Sequence, residues 1–130
     1  MATTAFYAGL LCLLYLVLSF RVIFMRREAR VEIGFGESKE LLRRARVHAN
    51  FAEYAPFAIL LMGLAESLQA RWLVLHFAGL TLFAGRLIHA YGLSQTPHIM
   101  PLRFSGMVLT FTSLLTGALA CLALSLGKGI

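Results

Sequence analysis

The sequence predicts an all-α integral membrane protein that folds as a four-helix bundle. Of its 130 residues, 59% are hydrophobic and only 14% are charged, and the mean hydropathy is +0.78, which is unusual for a soluble domain. Four apolar blocks cover residues 6–24, 49–68, 72–91 and 104–126, each close to the roughly 20 residues that a spanning helix needs. Backbone groups in lipid must be satisfied internally and no block alternates like a barrel strand, so residues 1–130 are expected to form one helical domain.

The first block, residues 6–24, is interpreted as a membrane helix rather than a secretory signal. No basic residue precedes it, and its apolar run is longer than the h-region of a signal peptide. Cys12 in this block and Cys121 in the fourth lie among apolar residues, so neither indicates a disulfide framework.

The first connection, "MRREARVEIGFGESKELLRRAR", is the only long polar stretch. Gly34 and Gly36 break it, and Ser38 followed by Glu40 and two leucines predicts that a helix starts again there, as a cytoplasmic extension of the second membrane helix. No strand precedes "GFG", so we interpret it as a turn and not as a phosphate loop.

The two remaining connections differ in length and composition. The second, around Ser67 to Arg71, is so short that helices two and three are expected to form a tight antiparallel hairpin. The third, "LSQTPHIMPLR", contains Pro97 and Pro101 and is expected to be irregular.

The basic residues predict the topology. Ten of them lie in or beside the first and third connections, namely Arg21, Arg26, Arg27, Arg30, Lys39, Arg43, Arg44, Arg46, Arg86 and Arg103. The other two, Arg71 and Lys128, lie on the other side. The positive-inside rule then places both termini outside the cytoplasm. Topology accounts for most of the net charge of +6, so no nucleic-acid partner is predicted.

Polar residues form a stripe on the second helix. One face carries, at spacings of four, three and four residues, Arg46, Asn50, Glu53 and Phe57. Tyr54 lies at the edge of this face.

The hairpin gives a reference for depth. Glu53 lies 17 residues before Ala70 and Arg86 lies 16 after it, so both sit roughly 25 Å from the turn. A lone charge in hydrocarbon is costly, so we expect Glu53 and Arg86 to face inward and pair. By the same count, Asn50 is level with His89.

Pro56 removes an amide donor and displaces the carbonyl of Ala52, which would loosen the turn that holds Glu53 and open a polar pocket. The alternative is that Glu53 and Arg86 only fasten two helices together and Pro56 only bends one of them. Intramembrane charges are functional by default, but the sequence leaves both interpretations open.

Four arginines from three helix ends are expected to gather at the cytoplasmic side, namely Arg26, Arg30, Arg46 and Arg103. Planar guanidinium groups grip carboxylates in two places, and a headgroup phosphate would fit nearly as well. The residues therefore predict an anion-binding cleft between apolar helices that could admit a lipophilic second ligand. They identify no reaction, and no metal site is predicted.

The segment "RVHANFAEYAPF" resembles the helix-two signature of the MAPEG family, the membrane-associated proteins of eicosanoid and glutathione metabolism. The matching residues are Arg46, His48, Asn50, Glu53, Tyr54 and Pro56. The likeness extends to the four apolar blocks, the basic "RREAR", the short hairpin and "GRLIHAYG", and it is greatest to small bacterial members that resemble microsomal glutathione transferases.

The resemblance implies a homotrimer with glutathione, the co-substrate, held between subunits near the cytoplasmic face. The side chains implied to hold glutathione are those of Arg46, Asn50, Glu53 and Tyr54, with Arg26 on a carboxylate. Arg86 would form part of the polar floor, and Arg103 would be the catalytic residue that stabilises the thiolate. His89 stands where several eukaryotic members have a tyrosine that contacts glutathione.

Two functions follow as hypotheses. The first is a transferase or peroxidase of a bacterial inner membrane that uses glutathione on lipophilic electrophiles or lipid hydroperoxides, since guanidinium charge would favour the thiolate. The second is a non-catalytic scaffold that binds a lipid or fatty acid in the same cleft. Transport is disfavoured because a polar pocket at one end provides no continuous polar path.

Overall fold

The computed structural model describes residues 1–129 and contains four helices joined by short connections. The helices are α1 (Ala2–Ala29), α2 (Lys39–Ser67), α3 (Trp72–Ser94) and α4 (Met100–Gly127). Each predicted apolar block falls on one of them, and the described residues contain no strand. The predicted all-α fold with four helices is confirmed.

Three of the helices, α1, α3 and α4, are long and apolar enough to cross a membrane. The charged residues of α2 lower its hydropathy, so α2 is not one of these three helices. It nevertheless runs antiparallel to α1 along most of its length. At one end the backbone N–H of Thr4 donates to Glu66 at 2.8 Å, and towards the other end Ser19 Oγ lies 3.1 Å from His48 Nε2. Helix α2 therefore covers the same depth as α1.

The first connection confirms the predicted turn and the predicted helix start. Gly34 and Gly36 adopt positive φ angles of 77° and 53°, which favour glycine. The Ser38 hydroxyl then accepts the backbone N–H of Leu41 at 3.2 Å, so this serine caps α2 as its sequence context predicted.

The hairpin between α2 and α3 is as tight as predicted, since α2 ends at Ser67 and α3 begins at Trp72. The third connection is shorter than predicted, because α4 already begins at Met100. Pro101 lies in the first turn of α4, where the missing amide would have had no partner within the helix. The irregular segment therefore ends before this proline.

Helices α3 and α4 approach each other so closely that side chains would not fit between them. A Cβ atom on Gly106 would lie 2.6 Å from the backbone nitrogen of His89 and 2.7 Å from the carbonyl oxygen of Gly85. This contact between backbones fixes where the polar residues of α3 meet α4.

The larger apolar core cluster is formed by residues of α1, α2 and α3, namely Leu11, Leu18, Val47, Phe51, Ala55, Ala58, Leu82 and Ala90. In the described part of the chain, α1 and α4 each pack on α2 and α3 but not on one another. Helix α4 exposes a row of large apolar side chains along its outer face, including Phe104, Val108, Phe111, Leu115 and Leu119. Such a surface suits a lipid environment or another protein chain.

Candidate functional site

Arg86 is the centre of a polar layer inside the bundle. Its side chain is only 1% exposed. Nε donates to Thr110 Oγ1 at 2.9 Å, Nη1 donates to Asn50 Oδ1 at 2.8 Å and to the Asn50 carbonyl at 3.3 Å, and Nη2 donates to Met107 Sδ at 3.2 Å. The Tyr54 ring lies over the guanidinium, 5.5 Å from Cζ to the ring centroid. Two helices, α2 and α4, thus surround one buried cation of α3.

The predicted pairing of Glu53 with Arg86 is wrong within the chain. Glu53 is exposed and forms no ion pair with any residue that the structure describes. Successive helical residues are rotated by about 100°, so Glu53 points away when Asn50 and Tyr54 face α3. Equal depth was therefore insufficient, and Asn50, about one helical turn from Glu53, contacts Arg86 instead.

Glu53 belongs to an exposed stripe on α2 that contains, in order, Leu42, Arg46, Glu53, Phe57, Leu60 and Leu64. Its depth can be judged from α1, because Tyr15 packs against Phe51 with ring centroids 5.8 Å apart. Glu53 is therefore level with the middle of an apolar spanning helix. A carboxylate at this depth is costly unless another molecule supplies a partner.

His89 joins α3 to the start of α4. It is 5% exposed, and its Nδ1 lies 3.1 Å from the carbonyl oxygen of Arg103. Because a carbonyl only accepts, Nδ1 carries the hydrogen of this contact. His89 Nε2 and Arg103 Nε are buried and have no hydrogen-bond partner among the described residues. Tyr91, two residues further along α3, is exposed.

The arginines of α1 form a separate group. A cavity of about 350 Å³ at the end of α1 is lined by Arg26, Arg27 and Arg30 together with residues of the connection. Arg26 Nη1 donates to the carbonyl of Gly34 at 2.7 Å, so this arginine also holds the glycine turn. No hydrogen bond in the described chain links Arg26 or Arg30 to Asn50, Arg86 or His89.

The α4 residues that contact Arg86 were not predicted from the sequence. Thr110 is fully buried, and its hydroxyl donates to the carbonyl of Gly106 at 2.8 Å, which leaves its lone pair for Arg86. Met107 supplies the sulfur contact. Both lie in the apolar block of residues 104–126, and only the spacing of Thr110 from Gly106 on one helical face could have suggested that Thr110 turns inward.

An apolar groove of about 260 Å³ runs between α1 and α2, and its lining includes Cys12, Tyr15, Phe51, Ala55 and Pro56. Pro56 stands inside a continuous α2 and borders this groove. Cys12 is exposed. The groove lies on the α1 side of α2, about one helical turn from Glu53, so an apolar cavity and a charged stripe are neighbours on one helix.

The comparisons with known proteins agree with the sequence motif. A model of the MAPEG family matches residues 4–123. Two relatives, each called inner membrane protein YecN, from Escherichia coli K12 and Escherichia coli O6:H1, are 40% identical over 117 residues, which cover 90% of this chain and 88% of each relative.

These matches and the three spanning helices confirm the predicted integral protein of a bacterial inner membrane. The placement of the termini outside the cytoplasm stays a prediction. The family match covers nearly the whole chain, including every residue of the polar layer. The chain belongs to the MAPEG family.

Proposed function

We propose that this protein is a glutathione-dependent membrane enzyme that conjugates glutathione to lipophilic electrophiles or uses glutathione to reduce lipid hydroperoxides. The observation that carries this proposal is the group of Arg46, Asn50 and Glu53 on the outer part of α2. Asn50 is half-buried against Arg86, while Arg46 and Glu53 are exposed. The two charges have opposite signs and find no partner in the described chain.

Glutathione matches this arrangement in charge. It carries one ammonium group and two carboxylates, so Glu53 would receive the ammonium group and Arg46 a carboxylate. Tyr54, which covers Arg86, would lie against the peptide. The second carboxylate is proposed to contact Arg26 and Arg30. Both arginines line the cavity at the end of α1, and Arg30 is exposed there.

The chemical step requires a thiolate. A free thiol has a pKa of about 8.5, and a nearby guanidinium favours the deprotonated form. We assign this role to Arg103, whose Nε lacks a partner and whose carbonyl contacts His89. The thiolate then attacks the electrophile, and the adduct either expels its leaving group or takes up a proton. With a hydroperoxide, the thiolate attacks the terminal oxygen, the O–O bond breaks, and the products are glutathione sulfenic acid and, after protonation, the lipid alcohol. A second glutathione reduces the sulfenic acid to glutathione disulfide and water, while His89 borders the site as a hydrogen-bonding group.

A homotrimer is part of the proposal because the charged stripe is incomplete in one chain. Phe57 and Leu60 continue the stripe beyond Glu53 and are also exposed. A second copy packed on this face would remove Glu53 from lipid and enclose glutathione between subunits.

Calorimetric titration of the purified protein with glutathione tests the proposal. We expect saturable binding that weakens by about tenfold or more in Glu53→Gln and Arg46→Ala, since each loses a charge-assisted hydrogen bond. The matched control is Arg71→Ala, which removes an exposed arginine at the hairpin end and should bind as the wild type does. Wild-type protein that binds no glutathione would refute the proposal.

A second candidate is favoured by the apolar groove between α1 and α2, which is large enough for part of an acyl chain. A scaffold that binds a lipid or fatty acid would use the groove for the chain and the arginines for the headgroup. Ultraviolet absorbance of the thiolate separates the two candidates. An enzyme should develop this absorbance when glutathione is added, and Arg103→Ala should lose it together with turnover while binding remains measurable.

A further inference from the structure

We infer that Arg86 is a positioning residue that orients the Asn50 amide, so that Asn50 offers N–H donors to the ligand and recognises an acceptor group such as a carboxylate or carbonyl. The orientation of the amide follows from the protein alone. The identity of the ligand as glutathione rests on the proposed function.

The first step concerns the Asn50 side chain. All five N–H groups of a guanidinium are donors, so the Asn50 atom that lies 2.8 Å from Arg86 Nη1 must be the amide oxygen. This holds however the oxygen and nitrogen of the amide are assigned. Nη1 also donates to the Asn50 carbonyl at 3.3 Å, so one nitrogen grips two oxygens of the same residue. The amide NH₂ group is consequently turned away from Arg86.

The second step concerns what holds Arg86. The Thr110 hydroxyl donates to Gly106 and accepts from Nε, so Thr110 fixes the guanidinium from α4. Tyr54 covers the guanidinium from α2. At 1% exposure, Arg86 is shielded from a ligand and acts on it through Asn50, which is only half-buried.

The third step concerns charge. Every hydrogen-bond acceptor around Arg86 is neutral, since the partners are a hydroxyl, an amide oxygen, a carbonyl and a thioether. A carboxylate at position 50 would therefore pair with a buried cation that has no counter-ion among the described residues. It would also replace the outward NH₂ donors by an acceptor that repels a carboxylate or carbonyl.

Asn50→Asp, compared with Asn50→Ala, tests the inference in two measurements. We expect the thermal midpoint of Asn50→Asp in detergent to equal or exceed that of the wild type, and that of Asn50→Ala to fall below it. We expect glutathione affinity to drop by about tenfold or more in Asn50→Asp despite its intact fold. The inference is overturned if Asn50→Asp is less stable than Asn50→Ala, or if it binds glutathione as well as the wild type.

Thr110 supplies a matched pair that leaves Asn50 unchanged. Thr110→Val removes the acceptor for Arg86 Nε, so KM for glutathione should rise severalfold with little change in kcat, whereas Thr110→Ser keeps the hydroxyl and should restore KM. Equal KM values in these two variants would contradict a positioning role. If the wild type binds no glutathione, the proposed function fails, but the order of the thermal midpoints of the Asn50 variants still tests whether Arg86 pairs with an acceptor at position 50.

Discussion

Two glutamates on α2 have opposite surroundings. The Glu66 carboxylate accepts the backbone N–H groups of Thr3 at 3.0 Å and Thr4 at 2.8 Å, and so it caps the start of α1 from a neighbouring helix. Glu53 is exposed and forms no ion pair in the described chain. The same type of side chain is thus a structural cap at the hairpin end of α2 and is available to a ligand in the middle of that helix.

The two histidines of α3, His76 and His89, also differ in whether their side chains have a hydrogen-bond partner. At the hairpin end, the Tyr7 hydroxyl lies 3.1 Å from His76 Nδ1, so both groups have a partner. In the polar layer, His89 Nε2 has no partner within residues 1–129. Buried polar groups are usually satisfied in proteins. In the described part of the chain, the hairpin end has one such unpaired atom, Thr4 Oγ1, whereas His89 Nε2 and Arg103 Nε are both unpaired and belong to residues that are in contact, so the polar layer is the better suited to binding.

The largest expected effect comes from placing the same substitution at both ends. In Gly106→Ala the new methyl group would meet the backbone of α3 at 2.6 Å, and in Gly79→Ala it would overlap the Tyr7 ring, which is buried and hydrogen-bonded to His76. We expect each substitution to lower the free energy of unfolding by about 2–3 kcal/mol, because neither the α3 backbone nor the buried ring can yield freely. Thermal unfolding in detergent measures both.

Gly9→Ala is the control for this pair, since no atom lies within 4 Å of its added methyl group. Alanine is the better helix former, so this variant should be neutral or slightly stabilising. If Gly106→Ala were as stable as Gly9→Ala, α3 and α4 would not be in backbone contact at the polar layer.

The second prediction compares the two glutamates directly. Glu66→Ala leaves two amide groups at the start of α1 without their acceptor and should cost about 1–2 kcal/mol. Glu53→Ala should cost little or nothing, because it breaks no contact in the described chain, yet it should weaken glutathione binding. Chemical unfolding measures the change in the free energy of unfolding, and calorimetric titration in parallel measures the change in glutathione binding. A large loss of stability in Glu53→Ala with unchanged binding would reverse the assigned roles.

Much of the fold could be predicted because its determinants are local. Hydropathy located the four helices, and Ser38 predicted the start of α2 because its own hydroxyl caps that helix. The start of α4 was misplaced because Pro101 was interpreted as a breaker, although proline is well suited to a first helical turn.

The site was predicted less completely because helical spacing gives depth but not rotation. Counting residues from the hairpin placed Glu53 and Arg86 at one level, but the packing of α2 against its neighbours turned Asn50 and Tyr54 towards Arg86 instead. The partner from α4, Thr110, depends on the close contact of two helices that are separated along the chain. Sequence spacing within one helix carries no information about that contact.

The smallest expected effect concerns Glu40, a third glutamate of α2, in the extension beyond the predicted span. A hydrogen bond from Arg44 Nε at 2.8 Å holds the pKa of Glu40 below its ordinary value. A pKa lowered by folding stabilises the protein above the unfolded-state pKa, and this stabilisation is lost as the pH falls through the folded-state pKa. Because Glu40 is partly exposed, we expect Glu40→Gln to cost no more than about 0.5 kcal/mol at neutral pH.

That difference between Glu40→Gln and the wild type should disappear in acid as the pH falls through the lowered folded-state pKa of Glu40, because the wild-type carboxyl then becomes protonated. Glu37→Gln, which alters an exposed glutamate of the first connection, should match the wild type throughout. Thermal midpoints measured across this pH range test the prediction. A difference that persisted undiminished in acid would mean that the Glu40 side chain stabilises the protein through packing rather than through its charge. Only Glu53 and Glu66 would then be distinguished by their ionic surroundings.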